Sequence, residues 1–154
     1  MNRPALASAV LLGAALVTAG CGGGQASSPS AAPSSPAGTQ SYSTMLDLYS
    51  AVLGTGTTCS DVSIEPATAA KAQASCDLGG GKSLLLQTWR NSAARDSGVH
   101  AVESTLTERH APYCVLAGIG DTGLWSVAAR GDATVCTDIS HKLGGTVTSS
   151  TRKG

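Results

Sequence analysis

Four residues near the middle of the chain, Gly80-Gly81-Lys82-Ser83, match the end of a phosphate-binding loop. The chemistry would be a cradle of backbone amides around a nucleotide's phosphates, with the lysine reaching the terminal ones. The full spacing demands a glycine at position 76, where this chain has Cys76. It also demands a helix directly after the lysine, and residues 83–89 read as strand. Gly79-Gly80-Gly81 is better suited to a tight hairpin turn, because glycine reaches positive φ without strain. No nucleotide and no other cofactor is expected.

The remaining reactive side chains do not converge in the sequence. His100, His110 and His141 are not in H-E-x-x-H spacing, and we read them as surface histidines. Serine catalysis wants a G-x-S-x-G elbow, which the chain lacks. Asp121 and Asp132 flank one expected strand with nothing to pair them. Arg130-Gly131-Asp132 reads as the end of a strand followed by a helix cap. Trp89 and Trp125 are the candidate ligand face: side by side on an uncovered sheet they would line an apolar groove. No catalytic residue and no metal ligand is assigned, and the protein is expected not to be an enzyme.

Of the five cysteines, Cys21 stands apart from Cys59, Cys76, Cys114 and Cys136. An even set of four in a small exported domain reads as two disulfides. Three pairings exist. Cys59–Cys76 with Cys114–Cys136 is preferred, because each bridge closes a short loop between adjacent elements. Zinc would want close pairs such as C-x-x-C, and none occurs.

The chain opens "MNRPALASAVLLGAALVTAGC". Arg3 gives a short positive start, and an apolar run follows over residues 5–17, the order of a secretory signal. The run is shorter than the roughly 20 residues of a permanent span. Residues 17–21, "VTAGC", resemble the lipobox of bacterial lipoproteins. That resemblance implies a leader over residues 1–20, removed to leave Cys21 as a diacylglycerol-modified N-terminus. Each buried acyl methylene contributes about 0.8 kcal/mol, and two chains hold stably where one does not. The expected location is the outer, extracytoplasmic face of the cell membrane, held by lipid.

Residues 21–41 are then the lipidated cysteine and a disordered linker of Gly, Ser, Pro and Ala, with no large apolar side chain to offset ordering entropy. Residues 42–148 have the length of one domain, and residues 149–154 read as a flexible tail. The core must be aliphatic, because the chain has no phenylalanine. Without Arg3 the mature chain holds nine basic against ten acidic side chains. That balance offers no basic patch for nucleic acid.

The elements follow from periodicity. Residues 44–53 place Met45, Leu48, Tyr49, Val52 and Leu53 on one helical face, with Thr44 and Asp47 as a capping box and Gly54 as the stop. Val62 and Ile64 alternate only briefly. A strand ends the Ala-rich run with Cys76 and Leu78, and residues 82–90 form a second. Asn91 or Ser92 caps a helix to about residue 106, with Val99, Val102 and Leu106 inside and Gly98 allowing close packing. Residues 113–119 and 124–129 are strands joined through Gly120-Asp121-Thr122-Gly123. Asp132 caps a last helix that buries Val135, Ile139 and Leu143 and ends at Gly144. The expectation is one small α+β domain, α-β-β-α-β-β-α, with a four-stranded antiparallel sheet and helices mainly on one face.

Taken together, the lipobox, the Ser/Pro/Ala/Gly linker, the cysteine positions and the final "LGGTV" resemble small uncharacterised lipoproteins of high-GC Gram-positive bacteria. The resemblance implies a location and a fold, and no activity. The expected function is a membrane-anchored, non-enzymatic module that binds an envelope protein, a glycan or a lipid. The alternatives are a carrier of a small apolar or lipid ligand, and a hydrolase acting at the cell wall.

Overall fold

The computed structural model describes residues 37–151. The expected leader, Cys21 and most of the expected linker lie outside the described residues. Residues Pro33–Gly154 form one unit by their own contacts, and that unit holds the core and both disulfides.

Helix α1 (Met45–Leu53) begins at Thr44, whose hydroxyl accepts from the Asp47 amide while the Asp47 carboxylate accepts from the Thr44 amide. This reciprocal pair satisfies two amides that a helix start leaves orphaned. Three strands follow as a meander: β1 (Asp61–Glu65), β2 (Ala72–Gly79) and β3 (Lys82–Thr88). The turn between β2 and β3 sits on Gly80 (φ +64°) and Gly81 (φ +77°), which only glycine adopts readily. Helix α2 (Ser92–Glu108) is capped by the Asn91 side chain, which accepts from the Ala94 amide. Strands β4 (Tyr113–Ala117) and β5 (Trp125–Arg130) pair next, then come α3 (Val135–Leu143) and β6 (Thr146–Ser150). The Asp132 carboxylate caps α3 from two residues before its N-cap, accepting from the Thr134 amide and hydroxyl.

The six strands form one antiparallel sheet in the order β1-β2-β3-β5-β4-β6. The expected four-stranded sheet is therefore extended at both edges. Strand β1 has only Val62 and Ile64 as apolar residues and faces solvent along most of its length, so its alternation is too short to read. Strand β6 is Thr146-Val147-Thr148-Ser149-Ser150, and its last two residues were expected in the tail. At the other end, the expected linker reaches too far. Gly38 is buried: its amide donates to the Leu143 carbonyl, and its carbonyl accepts from the Ile119 amide.

Side chains alternate across a sheet, so register assigns each residue to a face. On the first face, Cys76, Leu84, Leu86, Leu116, Trp125 and Val127 pack against Met45, Leu48 and Val52 of α1 and Cys136, Ile139 and Leu143 of α3. On the second, Tyr113, Val115, Ala128 and Leu85 pack against Val99, Val102 and Leu106 of α2. Helices were expected mainly on one face; α1 and α3 share one, and α2 takes the other. Both β3 and β4 run antiparallel to β5, so α2 is the crossover that joins two parallel strands. One helix cannot cover six strands. The second face is left open beyond β3, over β2 and β1.

Candidate functional site

The cysteines pair as Cys59–Cys76 and Cys114–Cys136, with Cα separations of 5.5 and 5.9 Å. The first bridge ties the approach to β1 onto β2. The second ties β4 to the first turn of α3, where the Cys136 amide also points at Cys114 Sγ. Cys76, Cys114 and Cys136 are fully buried. These sulfurs are committed to the two bridges that hold the fold. Cys21, the expected lipidation site, lies outside the described residues.

Trp89 and Trp125 do not form a ligand face. Thr88 pairs with Trp125, so Trp89 points to the opposite side of the sheet. Both are buried. The Trp89 indole lies against Gly98 of α2 and donates to Ser126 Oγ at 3.0 Å. The Trp125 indole donates to the Gln40 carbonyl at 2.9 Å and meets Tyr42 edge to face at 5.8 Å. Burial pushes the Tyr42 phenol pKa up. Each ring is a packing and hydrogen-bonding element.

The other reactive groups are equally dispersed. His100 lies on α2, His141 on α3, and His110 follows α2 with φ +52°. Among the described residues, no three His, Cys, Asp or Glu side chains gather in a metal-binding group. Lys82 begins a strand, so the helix that a phosphate-binding loop requires directly after its lysine is not there. Lys82 pairs instead with Asp132 at 2.9 Å. Hydrogen bonds from Lys82 and Thr134 hold the Asp132 carboxyl well below the usual carboxylate range. That pair lines an open cleft of about 430 Å³ with Thr57 and Asp138. Its central charges already answer each other, so the cleft is built as a cap and a clasp.

A second hollow is built differently. It is a groove of about 590 Å³ beside α2, on the second face of the sheet. Leu85 and Ala128 form its floor, and Ala101, Val102 and Leu106 of α2 form a wall. Glu65 and Ser83 line it from the sheet, and Arg109 and Arg130 bring two guanidinium groups. The Glu65 carboxylate is tied down: it accepts from Ser75 Oγ at 2.6 Å and Gln73 Nε2 at 3.2 Å. Neither arginine side chain makes a hydrogen bond or an ion pair among the described residues. The volume lies within the usual range for small-ligand sites, and so does the mix of apolar lining with a few polar groups.

Sequence reading missed Glu65, Arg109 and Arg130. One signal was present: both registers of β3 carry apolar residues, which marks Leu85 as facing a second apolar layer. Arg109 and Arg130 are distant in sequence, and only the α2 crossover brings them to one hollow. No family model matches the chain, and no curated protein or solved structure is significantly similar to it.

Proposed function

We propose that the protein is a lipid-anchored module of the cell envelope, held at Cys21 on the outer face of the membrane, which binds its ligand non-enzymatically in the groove beside α2. The observation that carries the binding reading is the groove itself: an open apolar hollow whose two arginines have no partner in the described chain. The two disulfides support an exported, oxidising compartment. The sequence "VTAGC" supports lipidation, and the Gly/Ser/Pro/Ala-rich composition that follows Cys21 supports a tether that holds the domain off the surface.

The anchoring half is tested by intact mass of the membrane-extracted protein, with and without reduction, beside a Cys21→Ala variant. The expected mature mass begins at Cys21, carries acyl chains and shows two disulfides on reduction, and the variant lacks the acyl mass. Recovery of the wild-type chain from the medium without acyl chains would refute this half. Four free thiols in the exported protein would refute the redox argument.

A further inference from the structure

We infer that the groove beside α2 binds a single-chain amphipathic carboxylate, with its head at Arg109 and Arg130 and its chain along Leu85, Ala128, Val102 and Leu106. This rests on the groove being the binding site, and it names the ligand class.

The groove is polarised. Arg130 pairs across the sheet with Ser83, and Glu65 pairs through Gln73 with Gln87. Four residues of β3 separate those two rows, about 13 Å along the strand. Arg109 is the C-cap of α2, and α2 leads directly into β4, whose first residue Tyr113 is paired with Arg130. The cations therefore gather at one end, while Glu65 stems from the other and turns its carboxylate back to Ser75, level with Leu85, where two hydrogen bonds hold it. Between the two ends run Leu85, Val102 and Leu106, half-buried, over the buried Ala128.

Two unpartnered guanidinium groups are forked donors that match a carboxylate. Glu65 already accepts two hydrogen bonds, so it does not draw the arginines across the groove. A ligand that is only an anion leaves the apolar strip wet. A ligand that is only apolar leaves two cations unanswered. The arrangement is complementary to one molecule that carries both parts. A fatty-acid-like chain fits an open groove of about 590 Å³ better than a lipid with two acyl chains and a large headgroup.

The test uses residues 22–154 with both disulfides formed, since residues Pro33–Gly154 make their own core. Dodecanoate is titrated below its micelle concentration and read by amide NMR shifts. Dodecyltrimethylammonium and inorganic phosphate are titrated in parallel. The expected result is saturable shifts at Leu85, Val102, Leu106 and Ala128 with dodecanoate. The Arg109→Gln/Arg130→Gln double variant weakens that binding by about tenfold or more. Ala101→Glu, at an exposed helix position, weakens it as well by setting a negative charge on the wall. Equal binding of dodecyltrimethylammonium, or no effect of the arginine changes, would overturn the anionic head. Phosphate binding as tightly as dodecanoate would overturn the chain. No saturable shift along the groove with any probe would overturn the inference whole, and the lipid-anchor reading would stand on its own mass measurement.

Discussion

Glycine at position 98 sets two effects of opposite sign against each other. It lies inside α2, where replacing glycine by alanine ordinarily stabilises a helix by about 0.8–1.0 kcal/mol. Yet a Cβ there would sit 2.5 Å from Trp89 Cζ3 and 2.7 Å from Cζ2, with Cη2 closer still. Ordinary carbon contacts begin well beyond that. The indole cannot step aside freely, because it is buried between sheet and helix and is fixed by its bond to Ser126. Overpacking of this kind costs about 1–3 kcal/mol, and displacing the ring threatens a hydrogen bond that contributes about 1 kcal/mol. The clash should win. Gly98→Ala is expected to destabilise the domain by about 1–2 kcal/mol net, which lowers Tm by roughly 4–10 °C at this size. Far-UV circular dichroism melts of the oxidised protein measure it, with the exposed neighbour Ser97→Ala as the helix-propensity control. In a Trp89→Phe background the smaller ring should accept the methyl, and Gly98→Ala should become neutral or stabilising. A Tm that rises in the Trp89 background would show that the ring yields at little cost, and the packing argument would fail.

Arg95 is buried and bridges α2 to the β4–β5 connection, donating from Nη1 to the Gly120 and Gly123 carbonyls at 2.8 Å each. Arg95→Met strands those carbonyls and should cost about 2–4 kcal/mol, read as a lower urea midpoint; a change within about 0.5 kcal/mol would refute the staple. Asp132 has its folded pKa lowered by Lys82 and Thr134, so its contribution is present above the unfolded value of about 3.9 and is lost as pH falls through the lower folded value. Asp132→Asn should therefore be less stable than the parent by up to about 1 kcal/mol at neutral pH, with the gap closing in acid and shrinking in salt. A gap that stays constant from about pH 7 to about pH 2 would mean that the carboxylate's charge contributes nothing.

What could be read beforehand divides along a physical line. The elements that bury an unbroken apolar stripe were legible: Met45, Leu48 and Val52 for α1, Ile139 and Leu143 for α3, and the alternating leucines of β3. Glycines with positive φ also announced their turn, at Gly80 and Gly81. The short closure between cysteines favoured the pairing that the structure shows. Edge strands gave no comparable signal. Strand β1 leaves Ile64 77% exposed, and β6 is mostly small polar residues, so neither writes a burial pattern into the sequence. The tryptophans misled for a related reason. An aromatic in a strand declares that it wants cover, and does not declare which face supplies it. Register decides that, and it put Trp89 under α2 and Trp125 under the Tyr42 segment. The groove was hidden for the deepest reason. Its cations belong to a helix terminus and a strand end separated by β4, the connection after it and the rest of β5. Each alone reads as an ordinary exposed arginine. They line one hollow because α2 crosses a six-stranded sheet that is too wide for one helix to cover, and the uncovered margin is where apolar floor and unpartnered charge meet.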